Sequence, residues 1–137
     1  MEKIEISTRV NGSIESIWEK WTLPEHIKNW YYASEDWHCP KVENDLKENG
    51  EFNIRMEAKN GSMGFDLEGT YTEVKQFKYI SYKMTDGRKV ELTFNKNEKG
   101  ILITETFEAE AQNSIEMQKQ GWQAILDSFK KYAEEKN

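Results

Sequence analysis

The chain has few of the residues that cross-link a protein, stiffen it or insert it into a membrane. Its 137 residues include one cysteine, Cys39, which cannot form an internal disulfide, and two prolines. No hydrophobic run approaches the roughly 18 residues of a membrane span, and the start lacks the apolar segment of a signal peptide. We therefore expect a cytoplasmic protein that forms a single domain over residues 1–137.

Basic residues are outnumbered by acidic ones. The sequence has 19 Lys and Arg against 25 Asp and Glu, which gives a net charge of −6 and a pI near 5.1. Nucleic-acid backbones and anionic membrane surfaces both attract proteins through basic patches. The composition therefore predicts neither a nucleic acid nor a membrane as the partner.

Aromatic residues are abundant instead, at 12% of the chain. Large rings bury much apolar area and, on a sheet, can leave a cavity between them. Trp18 and Trp21 follow helical spacing, which favours core positions. Four more rings crowd together outside any regular period and indicate either core, a pocket rim or an exposed interaction patch. These are Trp30, Tyr31, Tyr32 and Trp37.

Alternation of apolar and polar residues predicts a series of strands. The predicted strands lie in residues 2–10, 52–58, 65–71, 80–84, 90–94 and 101–109. Asn60-Gly61 and Asp86-Gly87 are typical of tight hairpins, and a turn at residues 97–100 leads into the last strand. Ser13 is the expected N-cap of a short helix after the first strand, and Pro24 opens a second near residues 24–29.

The end of the chain predicts one long amphipathic helix. Asn113 with Glu116 resembles a capping box at its start. The predicted core stripe is Ile115, Gln118, Trp122, Ile125, Leu126, Phe129 and Ala133. Gly121 either lets the helix approach the sheet closely, which is the favoured interpretation, or leaves room for a ligand.

A lone terminal helix can bury its apolar face only against the strands. The order of elements is one strand, two short helices, about six strands and one long helix. The sequence therefore predicts an α+β fold in which a curved antiparallel sheet of about six or seven strands wraps around the C-terminal helix.

Three segments carry a family resemblance that extends over nearly the whole chain. They are residues 21–30 (WTLPEHIKNW), 66–71 (DLEGTY) and 121–126 (GWQAIL), of which the last is the most specific. With the order of elements, they resemble the START-like helix-grip superfamily (SRPBCC), and within it the activator of heat-shock protein 90 ATPase homologue-like family. The resemblance implies a sheet that grips the C-terminal helix, with an apolar cavity between them.

Glu105 is the most unusual position in the strand pattern. It falls in phase with Ile101, Ile103 and Phe107, so a strict period of two directs its carboxylate toward the helix. An inward carboxylate would have a raised pKa and would serve as polar anchor or general acid/base. Alternatively, an irregular register turns it outward, or a neighbouring side chain satisfies it. Arg55 and Arg88 are out of phase, which predicts solvated side chains.

No residue pattern predicts a metal, a cofactor or a nucleophile. His38 and Cys39 are adjacent and would point apart on a strand, while His26 lies on a preceding helix without a ligand at helical spacing. The chain also lacks a phosphate-binding glycine loop and a dinucleotide fingerprint. We therefore expect no cofactor and no metal site, and we expect a non-enzymatic function rather than catalysis.

Three functional hypotheses follow. The first is binding of a small apolar or amphipathic ligand in a cavity between sheet and helix. The second is a co-chaperone-like interaction module, which only the name of the resembling family supports and which an exposed apolar patch near residues 30–37, buried by a partner, would favour. The third is a small-molecule enzyme, such as a cyclase, dehydratase or hydrolase, that uses Glu105 with a tyrosine. We expect a monomer or weak homodimer. The predicted cavity residues are Trp30, Tyr32, Trp37, Met56, Phe65, Tyr82, Leu92, Glu105, Trp122 and Leu126.

Overall fold

Helices and strands follow one another in the order that the sequence predicts. The structure is a computed structural model in which residues 2–135 are described. The strands in this range are β1 Lys3–Val10, β2 Trp37–Asn44, β3 Glu51–Ala58, β4 Gly64–Lys75, β5 Tyr79–Met84, β6 Lys89–Asn97 and β7 Gly100–Glu108. The helices are α1 Ile14–Thr22, α2 Pro24–Ile27 and α3 Ile115–Glu135.

The strands form one curled antiparallel sheet around α3. Their order across the sheet is β1-β7-β6-β5-β4-β3-β2, so β2 to β7 make a meander and β1 pairs with β7. Strands β1 and β2 therefore lie at opposite edges, and α1 and α2 connect these edges. The predicted fold, a curved antiparallel sheet that grips the terminal helix, is confirmed.

Strand β2 is the element that the sequence analysis did not assign. Its alternation is interrupted by Pro40 and by an irregularity in the pairing with β3 between His38 and Lys41. Proline lacks a backbone N–H and is tolerated at sheet edges and bulges, which is where β2 places it. Because the alternation of inward and outward residues is interrupted here, the sequence pattern did not predict this edge strand.

Helix α3 packs on the concave face through its C-terminal half. Leu126, Phe129 and Ala133 are fully buried, as the apolar stripe predicts. Ile115 is 36% exposed, so its predicted core position is wrong. The predicted Asn113 cap is also wrong, because the backbone N–H of Met117 donates to the Ser114 side chain at 3.1 Å.

Helix α3 also satisfies exposed backbone groups along β1. Gln123 donates to the carbonyl oxygen of Ser7 at 3.2 Å, and Lys130 donates to that of Arg9. The backbone N–H of Asn11 donates to the Glu134 carboxylate at 3.0 Å. These contacts cover an edge strand that would otherwise offer unpaired groups for association.

The short helices join the sheet to α3 through aromatic rings. The Ser13 side chain caps α1 by accepting from the backbone N–H of Ser16 at 3.1 Å, as predicted. The rings of Trp21 and Trp30 each lie within 4.8 Å, centroid to centroid, of the Phe129 ring. This cluster anchors the C-terminal half of α3.

Candidate functional site

A pocket of about 360 Å³ lies between the N-terminal half of α3 and the concave face of the sheet. Its size falls within the range of about 300–1,000 Å³ that is common for small-molecule sites. Its lining residues are Trp21, Tyr31, Ala33, Met56, Phe65, Asp66, Leu67, Glu68, Met84, Thr85, Asp86, Arg88, Glu105, Gly121, Trp122 and Ile125.

The mouth of the pocket is a notch between β4 and the β5–β6 hairpin. The paired residues of β4 and β5 begin at Gly69 and Met84, and the last backbone hydrogen bond joins the Thr85 N–H to the Glu68 carbonyl, so residues 64–67 extend beyond the hairpin. Gly87, with a φ of 94°, ends the hairpin at the position predicted for a tight turn. Because the neighbouring strand stops short, Phe65 is 51% exposed although it occupies an inward position.

Glu105 lies at the base of this pocket, midway along β7. Its side chain is 4% exposed, which confirms the prediction that it faces the interior. Its carboxyl group opens onto the pocket, and no group within residues 2–135 forms a hydrogen bond or ion pair with it. Burial raises the pKa of Glu105 to about 8, because removal from water disfavours the charged form. The carboxyl group is therefore mostly protonated at neutral pH.

Two buried tyrosines lie beside this carboxyl group. Burial raises the pKa of both Tyr31 and Tyr82 well above the usual range, and the negative charge of Glu105 raises each further. Their hydroxyl groups lie close enough to each other to interact. Both hydroxyls therefore stay neutral, and because one of them donates to the other, the pair offers one further hydroxyl hydrogen beside Glu105.

A small inner void of about 30 Å³ lies beneath the pocket, and Glu105, Tyr31, Trp21 and Leu67 border both spaces. This volume exceeds the roughly 10–15 Å³ that a single water requires. Tyr71 and Tyr82 add polar groups to its wall. Glu105 thus lies between this inner void and the pocket that opens to the surface.

Arg88 lies at the mouth rather than in bulk solvent. Its side chain is only 16% exposed, and its Nε atom lies 2.8 Å from the Asp86 carboxylate. The predicted solvated position of Arg88 is therefore wrong, because the hairpin turn folds it back against the sheet. Arg55 is partly exposed at 32% and pairs with Glu57 and Asp66.

Gly121 contributes empty space to the pocket. A Cβ atom added there would meet no atom within 4 Å. The favoured sequence interpretation, close packing of helix against sheet, is therefore wrong, and the alternative of room for a ligand fits the geometry. The adjacent Trp122 forms the wall next to this space.

The structure brings four of the ten predicted cavity residues into the pocket lining. These are Met56, Phe65, Glu105 and Trp122. Tyr82 and Leu92 lie one layer deeper and line the inner void. The alternation correctly predicted that both side chains face the interior. It does not specify the pairing of the strands, which decides how deep in the interior each residue lies.

The other four predicted residues line neither space. Trp30 is fully buried and donates its indole N–H to the carbonyl oxygen of Lys20 at 2.9 Å. Leu126 is 1% exposed and belongs to the core. Tyr32 lines a surface groove beside α3, and the half-buried Trp37 lies behind Phe65 with their ring centroids 5.7 Å apart. Any contact of these residues with a ligand stays a prediction.

Several lining residues were missed by the sequence analysis. Met84 and Ile125 were placed on the correct faces but not assigned to the cavity. Trp21 was assigned to the core, where it packs, although its ring also borders the pocket. Tyr31 and Ala33 lie in an irregular segment, where no periodic pattern predicts which way a side chain points.

The histidines and the cysteine lie apart from the pocket lining. His26 contacts the Tyr132 hydroxyl at 2.6 Å, and His38 lies 3.8 Å from Glu57. Cys39 is buried on β2. In the described part of the chain, no three His, Cys, Asp or Glu side chains are grouped to hold a metal ion. None of the helices there is sufficiently long and apolar to cross a bilayer.

Comparisons with known proteins agree with this architecture. An AHSA1-like protein from Aeromonas hydrophila is 41% identical, with a TM-score of 0.93 over 98% of this chain and 93% of that one. Chr148 from Cytophaga hutchinsonii is 44% identical, with a TM-score of 0.80 over 98% and 92%. NE0264 from Nitrosomonas europaea, at 17% identity and a TM-score of 0.84 over 98% and 96%, shares the fold.

A search of curated proteins gave no match. A family model described as activator of Hsp90 ATPase homolog 1-like protein matches residues 11–134. This match includes all three segments that carry the sequence resemblance, as well as the residues that line the pocket. The chain therefore belongs to the family of activator of Hsp90 ATPase homolog 1-like proteins.

Proposed function

We propose that this protein binds a small amphipathic molecule in the pocket between the sheet and α3. The observation that carries the proposal is the carboxyl group of Glu105, which lies unpaired at the base of a pocket with apolar walls. Among the described residues no buried side-chain oxygen or nitrogen lacks a partner, so this carboxyl group is open to the pocket space, where a polar group of a ligand could form a hydrogen bond with it.

The walls suit the apolar part of such a molecule. Met56, Met84, Trp122 and Ile125 offer aliphatic, thioether and aromatic surface. Apolar walls with a few convergent polar groups are typical of small-molecule sites. Glu105, with the tyrosine hydroxyls beside it, would orient the polar end of the ligand.

The other two hypotheses have less support. An exposed apolar patch near residues 30–37 would favour the co-chaperone hypothesis, but Trp30 and Tyr31 are 0% and 7% exposed. The enzyme hypothesis relied on Glu105 as general acid/base. A carboxyl group with a raised pKa suits that role, and Tyr31 lies beside it, but no Ser, Cys, His or Lys side chain is among the described residues that line the pocket. Binding without chemistry therefore remains the favoured function.

Methyl NMR of the methionines tests the proposal with a control inside the chain. Met56 and Met84 line the pocket, whereas Met63 is 66% exposed and lies outside it. The protein, labelled with ¹³C at the methionine methyl groups, is titrated with 2-phenylethanol. We expect saturable shifts of the Met56 and Met84 signals and no shift of the Met63 signal.

Two matched variants separate binding in the pocket from surface adsorption. Gly121→Leu places a side chain in the empty space and should abolish the shifts. Gln120→Leu adds the same side chain at an exposed position of the same helix and should preserve them. Failure of the alcohol and of the charged analogues described below to shift either pocket methionine would overturn the proposal.

A further inference from the structure

We propose that the pocket selects organic cations: its ligand carries an ammonium group on an apolar body, and Glu105 is the counter-ion. This inference rests on the proposed binding function and adds the charge class of the ligand. It follows from the charges around the pocket, from the aromatic walls and from the missing partner of Glu105.

The charges around the pocket are mainly negative. Apart from Glu105, the charged lining residues in the described chain are Asp66, Glu68, Asp86 and Arg88. The guanidinium of Arg88 is already bound to Asp86 at 2.8 Å. Asp66 is paired with Arg55 at 3.1 Å, and Glu68 accepts a hydrogen bond from Asn53.

These pairings leave no available cation to hold an anionic ligand. No lysine or histidine of the described residues lines either the pocket or the inner void. A carboxylate or phosphate entering the notch would meet excess negative charge and then the Glu105 carboxyl group. A cation would be attracted at the mouth and would meet a carboxyl group at the base.

The walls provide aromatic surface for a cation. Trp21, Tyr31, Phe65 and Trp122 border the pocket on different sides. A cation over the face of such a ring is attracted by its quadrupole, most strongly when water is excluded. One face of the Trp122 indole is covered by Phe107, so its other face is the one that can turn toward the pocket.

Glu105 itself accounts for the selectivity. In the free protein its proton is retained because burial disfavours the charged form and no cationic group of the described residues offsets that effect. A bound ammonium group would stabilise the carboxylate and lower its pKa. Binding of a cation at neutral pH is therefore expected to release a proton, whereas binding of a neutral molecule is not.

Three probes with the same phenylethyl body test the inference by calorimetry. They are (2-phenylethyl)trimethylammonium, 2-phenylethanol and 3-phenylpropanoate, which differ in the charge of the terminal group. We expect the cation to bind at least about tenfold more tightly than the alcohol, and the anion to bind most weakly. The charge of this cation does not change with pH, whereas Glu105 becomes ionised as the pH increases through about 8. The affinity for the cation should therefore rise over that range.

Two carboxyl variants give the control. Glu105→Gln should lower the affinity for the cation by about tenfold or more and leave that for the alcohol within about threefold. Glu91→Gln removes an exposed carboxylate on β6 and should change neither. Proton release, measured in two buffers of different ionisation enthalpy, should be present in the parent protein and absent in Glu105→Gln.

The outcomes distinguish this inference from the proposed function. Equal affinities for cation and alcohol, or preference for the anion, would overturn the cation inference while the pocket remained a binding site. Absence of binding by all three probes would count against the pocket itself. A cation preference that survives in Glu105→Gln would show that Glu105 is not the counter-ion.

Discussion

The indole of Trp122 lies parallel to the ring of Phe107, with centroids 3.9 Å apart and planes 9° from each other. This stack joins α3 to β7 two residues beyond Glu105. Phe107 is fully buried and Trp122 is half-buried, so the stack closes one side of the pocket. The helix is thus held against the sheet by one aromatic contact beside the space that Gly121 leaves open.

The stack should contribute to stability beyond the area it buries. We expect a coupling free energy of about 1 kcal/mol between Trp122→Leu and Phe107→Leu, because parallel aromatic pairs gain about 0.5–1.5 kcal/mol. Urea unfolding of the two single variants and the double variant measures it. The pair Trp122→Leu and Phe94→Leu is the control, since Phe94 packs on Trp18 and Trp21. Similar coupling in both cycles would contradict a specific stack.

Glu105 should make stability depend on pH. Below its ordinary pKa of 4.5 both the folded and unfolded states hold the proton. Between 4.5 and about 8 the unfolded chain loses the proton and the folded protein retains it. The free energy of unfolding should therefore fall with rising pH by up to about 1.4 kcal/mol per unit, and level off above the folded pKa.

Glu105→Gln removes the titrating carboxyl group and with it this pH dependence of the free energy of unfolding. Relative to the parent protein, the variant should gain stability between pH 5 and pH 8, as measured by urea unfolding at both values. Glu91→Gln, at an exposed position, should show no such pH-dependent gain. A difference between Glu105→Gln and parent that is the same at both pH values would show that Glu105 titrates normally.

Gly121 should tolerate a methyl group. We expect Gly121→Ala to raise the free energy of unfolding by about 0.5–1 kcal/mol, because alanine favours helix and the added Cβ meets no atom within 4 Å. Gly69→Ala is the contrasting variant, since its Cβ would lie 2.8 Å from the Phe52 ring and should destabilise the protein. Thermal unfolding compares the two. A destabilised Gly121→Ala would indicate close packing after all.

The start of α3 should depend on Ser114. Ser114→Ala removes the side-chain acceptor of the Met117 N–H and should cost about 1 kcal/mol. Asn113→Ala should have a smaller effect, because the structure assigns Asn113 a backbone hydrogen bond to Glu110 and no capping role for its side chain. Denaturant unfolding of both variants measures the loss of stability. A larger loss for Asn113→Ala than for Ser114→Ala would support the cap predicted from sequence.

Features that depend on the local spacing of apolar, polar and turn residues were predicted from the sequence. The alternation in residues 101–109 correctly directed Glu105 inward, and the helical spacing near the end identified Leu126 and Phe129 as core. Tight turns at Gly61 and Gly87 were also recognised, because both adopt positive φ values that glycine permits. These properties depend on neighbouring residues in the chain, so they are visible without tertiary structure.

The position and volume of the pocket depend on the tertiary structure. Its mouth exists because the β5–β6 hairpin does not extend beside residues 64–67, and its open volume exists because α3 leaves space beside Gly121. Tyr31 reaches it from an irregular segment, while the neighbouring Trp30 turns into the core. Periodicity assigns a side chain to a face, but sheet curvature and long-range packing decide which residues of that face meet and where space remains between them.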